Sequence, residues 1–564
     1  MTSRIHALLL GLGLASYGCQ GNIEGASGGD GPNGNGSTPG PQGNGMTPEQ
    51  VLDSTTCKTP APGAAPLRRL SNAEYRNTVS DLLAQVSGIG PAVSGATRDF
   101  VDEAESLGFR NNAEFLGVKT LEAQGYMDAA EALAPLTAAE PAVVGCTTQD
   151  AACAQQFIQS FGKRAFRRPL QADEVARYQG IYDKAIAATY GHQTGIEWIV
   201  YSMLQSTEFL YRVELGAPKD TLHAPTQYET ASRLSYLIWQ SMPDQALFDA
   251  AEQGQLASKE QIGAQARRML ADPKSSRLLE YFDQWLDLDR LSSFDRDPQV
   301  YPNIDPNLPQ LLRQETHAFI GSLLSSPTGN LNELLTAQYS FLNADLARHY
   351  GVSGPAGSDF VKVDLAGRAG VLTQGMLLSH DKPTRSSIVR RGLKVRLDLL
   401  CHKVPAPPND VELDLEGLGE GLTQRERLEL HRSEPACAGC HNMMDPIGVA
   451  FEGFDAVGRP RTADESGKPV DVRTELSQTV GADGPVAGPV ELGQRLAGSQ
   501  EVRDCYVTQS FRFFYGRDIS SADQCSVAQL AVAFKDSQQS LSELIVALTQ
   551  TDQFLYRPAP EVQQ

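Results

Sequence analysis

The sequence predicts a mostly α, multidomain helical protein with few short strands. Three observations carry that prediction. A chain of 564 residues is too long to enclose one hydrophobic core and divides into several. Apolar residues recur at helical spacing: between Arg277 and Leu291, the residues Leu278, Leu279, Phe282, Trp285 and Leu286 make one stripe, and Ile262, Ala266, Met269 and Leu270 repeat the pattern after Ser258. Helix-start signals punctuate the chain, Ser71 with Glu74, Thr423 with Glu426 and Ser540 with Glu543 each standing at the spacing of a capping box. Strand patterns are sparse, the best being FVKV (360–363) and KPVDVRTEL (468–476).

Taken in order, residues 1–18 (MTSRIHALLLGLGLASYG) have a basic residue, Arg4, an apolar run too short to cross a bilayer, and small residues leading to Cys19. That is a secretory signal. A cysteine at the cleavage point predicts a lipoprotein acylated at Cys19, although Ser16 stands where such signals usually carry Leu; secretion with Cys19 removed or unmodified is the other reading. Residues 19–65 begin with a Gly, Asn, Pro and Ser-rich stretch that cannot repay ordering entropy, hence a flexible tether. There follow an N-terminal helical module (66–140), a helical module with Cys146 and Cys153 (141–216), a central helical domain (222–352), a domain bearing the CAGCH motif (358–465) and a C-terminal helical module with Cys505 and Cys525 (466–564). No later segment has the unbroken apolar length of a transmembrane helix, so the expected localisation is exported, in the periplasm or on the outer surface, held to the outer membrane by lipid alone.

QSTEFLYR (205–212) and QTDQFLYR (550–557) agree at five of eight positions. Each closes a segment that begins with a cysteine, Cys153 or Cys505, and passes through an Arg-containing turn, FRRPLQADE or YGRDISSAD. The shared order points to two related helical modules flanking the centre. The alternative is a chance likeness of helix endings.

The formal charge of -20 makes the surface acidic. Such a field repels phosphate backbones and anionic lipid, which argues against nucleic-acid binding and electrostatic membrane attachment and favours a partner that is cationic at its docking face.

Nine cysteines in an exported chain are expected to be sorted by use. With Cys19 lipidated and Cys437 and Cys440 used together, six remain for disulfides. Closeness in sequence suggests Cys146 with Cys153 and Cys505 with Cys525, leaving Cys57 and Cys401 as a long-range pair, though spacing does not fix connectivity.

Cys437-Ala438-Gly439-Cys440-His441 has the C-x-x-C-H spacing of one covalent c-type haem: two thiols for the vinyl groups on one porphyrin edge, and a histidine placed to ligate iron from one face. A zinc site needs four ligands, and no second C-x-x-C or helically spaced histidine pair accompanies these. A thioredoxin-like site needs a βαβ setting that this helical region lacks. A plain disulfide is the remaining alternative. Met443 and Met444 are too close to His441 to reach across a haem, and no methionine follows them. A distal ligand therefore comes from upstream or from another chain, or the face is open; upstream stand Met376, His380, His402 and His431, with His380 and His431 the leading candidates.

Seven stretches in order resemble the planctomycete-type and myxobacterial-type cytochrome-c-linked proteins, exported proteins built from domains of unknown function: LRRLSNAEYRNTVSDLL (67–83), FGKRAFRRPLQADEVARY (161–178), YETASRLSYLIWQSMPD (228–244), RAGVLTQGMLLSHDKPTRSSIVRRG (368–392), LLCHKVPAPP (399–408), HRSEPACAGCHNMMDPIGVAFEGFDAVGRPR (431–461) and CYVTQSFRFFYGR (505–517). The resemblance implies a haem-binding, electron-transfer role for Cys437, Cys440 and His441. It also draws attention to His431 and to Asp445, Pro446, Ile447, Gly448, Glu452, Asp455, Gly458 and Arg461. In that run Asp445-Pro446 reads as a tight turn and Gly448 as a close backbone approach, while Arg459 and Arg461 are placed to neutralise haem propionates or to form surface ion pairs. The chain departs from the commoner pattern in SSIVRRG and in having His402 after Cys401.

The expected function is an exported monohaem c-type cytochrome that transfers electrons in the cell envelope to or from a redox partner protein, with an extracellular polymer or small molecule as a further partner. The alternatives are a haem-dependent, peroxidase-like oxidoreductase and a structural envelope lipoprotein in which CAGCH is a disulfide. Enzymatic activity is left open, with electron transfer favoured.

Overall fold

The structure is a computed structural model that describes residues 46–219, 222–289, 294–379, 382–404, 421–465 and 467–558. Cys19, the signal and most of the tether, and His380, lie outside the described residues. The described chain is mostly helical, with four small antiparallel sheets of two or three strands. No described helix is long and apolar enough to cross a membrane.

Two large hydrophobic cores and a small cluster of Ile388, Leu428 and Val449 organise the described residues. The first is built by the helices Asn72–Leu82, Thr120–Ala138, Ala151–Phe166, Ala172–Ala187 and His192–Leu204, which bury Tyr75, Leu133, Phe157, Tyr182 and Ile199. Ser71 and Glu74 close a reciprocal capping box on the first of these, and Tyr75, Val79 and Leu82, one face at i, i+4 and i+7, go inward. The second core gathers Phe282, Phe319, Phe511, Leu544 and Phe554 from the central and C-terminal parts, with Phe109 reaching in from the N-terminal region. The helix Gln227–Trp239 serves both, Tyr236 in one core and Trp239 in the other. All ten of its residues from Thr230 to Trp239 are buried, as expected of a helix enclosed on every side.

The stripe between Arg277 and Leu291 is buried as its pattern predicts at Leu278, Phe282, Trp285 and Leu286, but the α-helix covers only Leu279–Trp285. A 3-10 turn, Pro273–Leu278, precedes it, and Asp287 adopts a left-handed φ of 51° that ends it. The two strand patterns become Val361–Asp364, paired with Tyr339–Leu342, and Arg473–Leu476, paired with Gly484–Ala487.

The internal echo extends to element order. The first copy runs through helix Ala151–Phe166, left-handed Arg167, helices Ala172–Ala187 and His192–Leu204, the short helix Thr207–Leu210 capped by Ser206, and strand Tyr211–Arg212. The second runs through Gln500–Tyr515, left-handed Gly516, Gln524–Asp536, Leu541–Leu548, the short helix Asp552–Leu555 capped by Thr551, and strand Arg557–Pro558, with a 3-10 turn, Ser521–Asp523, added after the glycine. The closing strands join different sheets: Tyr211–Arg212 pairs with Arg68–Arg69, and Arg557–Pro558 with Leu222–Ala224.

Three disulfides are formed among the described residues. Cys146 pairs with Cys153, and the other two correct the expected pairing: Cys57 joins Cys525, and Cys401 joins Cys505. Cys505 and Cys525 stand on successive helices and turn to different neighbours, one to the segment after Val395–Leu399 and the other to the N-terminal segment that packs on Gln524–Asp536.

Candidate functional site

The motif lies in the helix Pro435–Val449, which follows the helix Gln424–His431 after three residues. Pro435 at its first turn needs no N–H partner and presets the backbone there. The expected turn at Asp445-Pro446 is not formed: the helix runs through Pro446. Proline removes the bond that the Asn442 carbonyl would accept, and the Ser477 hydroxyl donates to that carbonyl at 3.3 Å instead. Next to it, Nε of the buried Arg396 donates to the Met443 carbonyl at 2.9 Å.

Within a helix, Cys437, Cys440 and His441 stand at i, i+3 and i+4 and so share one face. Asp445 continues that face. Its buried carboxylate accepts from Nδ1 of His441, at 3.0 Å to Oδ1 and 3.2 Å to Oδ2, while Nε of Arg432 stands 4.0 Å from Oδ2. A proton held on Nδ1 fixes the neutral tautomer whose Nε2 carries a lone pair, the arrangement of a metal-ligating imidazole oriented by a carboxylate. Cys437 and Cys440 are half-buried free thiols, whereas the six other described cysteines are all in disulfides. Among the described residues no group of three or more His, Cys, Asp or Glu side chains converges as for a metal ion.

His431 is buried against His441, ring centres 4.7 Å apart and edge to face at 83°. Burial and the neighbouring His441 both push its pKa down. Two imidazoles bound to opposite sides of one metal, at about 2 Å per bond, hold their ring centres about 6 Å apart. The observed pair packs edge to face, closer than that spacing. Of the other upstream residues, Met376 is buried in the second core, and both ring nitrogens of His402 are engaged, Nδ1 by Arg396 at 3.0 Å and Nε2 by Glu501 at 2.5 Å.

Arg459 and Arg461 are both engaged by protein groups. Arg459 donates through Nε to the His349 carbonyl at 3.1 Å and through Nη2 to Nδ1 of that histidine at 3.3 Å. Arg461 is spread over the Glu452 carbonyl, the carboxylates of Glu452 and Glu465, and the Ser386 hydroxyl. Glu452 also accepts from Ser386, and burial pushes its pKa up against the pull of Arg461 and Arg391. This network fastens the SSIVRRG segment to the end of the motif helix. Arg391 completes it by donating to the carbonyls of Phe451, Phe454, Leu378 and Asp455.

The close approach expected at Gly448 is present, and it is mutual. A Cβ on Gly448 would stand 1.8 Å from the Ile388 carbonyl oxygen, and one on Gly392 would stand 2.0 Å from that of Met444. The helix Ile388–Lys394 therefore lies directly on the motif helix, backbone to backbone. Arg390, Leu393 and Lys394 of the same helix line a cavity of about 1060 Å3, together with Trp285, His402 and Arg512.

The spacing His441 to Asp445 was the available signal for the carboxylate that orients the imidazole; Pro446 hid it by reading as a turn.

Five family models match successive stretches, each described as a protein of unknown function: DUF1587 over residues 68–138, DUF1595 over 153–214, DUF1592 over 226–352, DUF1588 over 368–464 and DUF1585 over 483–554. Together they are the planctomycete cytochrome-c-associated domain set, and the motif helix falls within the fourth. No curated protein and no solved structure matches the chain.

Proposed function

We propose that this chain, carrying the cytochrome-c-associated domain set, is an exported monohaem c-type cytochrome that transfers electrons in the cell envelope. One observation supports it most: of eight described cysteines, only Cys437 and Cys440 remain thiols, one helical turn apart and beside a histidine whose Nδ1 is already taken by Asp445. The residues fit the group. Cys437 and Cys440 supply the two thioethers, and Nε2 of His441 supplies the iron ligand; the haem, when bound, supplies a one-electron couple. Asp445 holds the imidazole in the required tautomer and makes it a stronger donor. Signal cleavage, a lipid at Cys19 and an outer-membrane location complete the reading, with a partner protein that is cationic at its docking face.

A haem-dependent oxidoreductase is the second reading, and the position of His431 favours it. Its ring packs against that of His441, an arrangement compatible with an open face on the haem.

The test is to make the full chain with its signal in a host that matures c-type cytochromes. The expected result is a pyridine haemochrome of the c type, a mass increase of one haem on the peptide holding Cys437 and Cys440, and loss of both when the two cysteines are replaced by Ser. Envelope material with no iron and no Soret band overturns the proposal. A ferric spectrum altered by azide or cyanide selects the oxidoreductase, and an unaltered low-spin spectrum selects the electron carrier.

A further inference from the structure

Away from the motif, three helices converge on the disulfide between Cys146 and Cys153. Cys153 is the third residue of the helix Ala151–Phe166, and its amide donates to Oδ1 of the capping residue Asp150 at 2.9 Å. Its sulfur is buried and stands 3.7 Å from Nε2 of His192, the first residue of the helix His192–Leu204. The other ring nitrogen, Nδ1, is 2.8 Å from the hydroxyl of Tyr182, on the helix Ala172–Ala187. The Tyr182 hydroxyl donating to Nδ1 leaves the imidazole proton on Nε2, aimed at the Cys153 sulfur. Cys146, on the other side of the bond, is half-buried and is the more exposed residue of the pair; its Sγ lies 3.4 Å from the Cys153 carbonyl oxygen and 3.7 Å from that of Val144.

We propose that Cys146–Cys153 is an exchange-active disulfide that takes two electrons from a protein dithiol. A thiolate of the dithiol attacks Sγ of Cys146. A mixed disulfide forms, the bond to Cys153 breaks, and its electron pair leaves on Sγ of Cys153. That thiolate accepts a hydrogen bond from the Nε2–H of His192. The second thiol of the dithiol then attacks its own sulfur in the mixed disulfide and expels Cys146. The dithiol is oxidised to a disulfide, and the chain gains two electrons and two protons. The second thiol's proton passes to the departing Cys146, whose thiol finds carbonyl acceptors in place, and Cys153 takes up from solvent the proton lost when the attacking thiol ionised. A stabilised leaving thiolate speeds the first step.

The other two disulfides lack this arrangement. Cys525 also stands in the first turn of its helix, but among the described contacts no ring nitrogen approaches its sulfur. His402, beside Cys401, has both nitrogens engaged by Arg396 and Glu501. The proposal is independent of the haem.

The test uses the full oxidised chain and dithiothreitol as the dithiol, with timed alkylation and peptide mass analysis of the six disulfide-bonded cysteines. Cys146 and Cys153 are expected to be reduced about ten-fold or more faster than either other pair. His192→Gln is expected to slow that step about five-fold or more while leaving the other two pairs unchanged. Tyr182→Phe, which keeps the ring and removes the hydroxyl, is expected to slow it in the same direction and decides the matter if His192→Gln fails to fold. Reduction of Cys146–Cys153 no faster than the other pairs, or rates unchanged in the folded variants, overturns the proposal.

Discussion

The carboxylate of Asp445 lies 3.0 Å from Nδ1 of His441, one turn along the same helix and buried, so the imidazole is oriented by a fixed anion. Asp445→Asn keeps the shape and removes the charge. On the haem-bound protein it is expected to raise the midpoint potential, because a less basic imidazole stabilises the oxidised iron less. Spectroelectrochemical titration of wild type and variant checks it, and an unchanged or lower potential contradicts the assigned role.

Gly392 and Gly448 let two helices touch backbone to backbone. Gly392→Ala gains about 1 kcal/mol of helix propensity, yet its Cβ would meet the Met444 carbonyl at 2.0 Å. Overpacking of about 1–3 kcal/mol wins, because the obstacle is backbone and cannot rotate away. A fall in the unfolding midpoint, with weaker haem retention, is expected, and chemical unfolding followed by circular dichroism measures the first.

Glu103 lies in the N-terminal part with its carboxylate 2.9 Å from Nη2 of Arg69, and burial pushes its pKa up to about 7 despite that arginine. The folded state thus holds the proton more tightly than the unfolded state, where a glutamate titrates near 4.3. By linkage the contribution is complete below the unfolded value and is lost as pH rises through about 7. Wild type is expected to lose on the order of 2 kcal/mol from this group between pH 5 and pH 8, and Glu103→Gln to lack that part of the decline. Urea unfolding at the two pH values distinguishes them.

Cys57→Ser breaks the link from the N-terminal segment to Cys525, across a separation of 468 residues. A cost of about 2–5 kcal/mol is expected for a native bridge. Limited proteolysis is expected to cleave first near Pro48–Asp53, a six-residue helix whose one buried residue is Val51.

Features governed by local chemistry were legible in the sequence. The capping boxes at Ser71 and Thr423 form as spaced, and Ser540 caps its helix through the Glu543 amide, although the Glu543 side chain turns instead to Arg267. The strand patterns at 360–363 and 468–476 and the close approach at Gly448 were legible for the same reason. What required the fold was hidden. Cys505 and Cys525 are near in sequence but face different neighbours, and proximity along the chain carries no information about side-chain direction. Asp445-Pro446 reads as a turn until Ser477, from a distant strand end, satisfies the carbonyl that proline strands. Arg459 and Arg461 look available beside the motif because their partners His349, Ser386 and Glu465 arrive from other segments or a later turn.

The bridge between Cys57 and Cys525 sets an order of events for the growing polypeptide. Cys57 emerges from the ribosome early and has no mate until 468 further residues have been made. The strand Leu222–Ala224 likewise waits for Arg557–Pro558 before it is flanked on both sides. The fold is therefore sealed only when its last helices arrive, and any interrupted product ending before Cys525 leaves Cys57 without its partner.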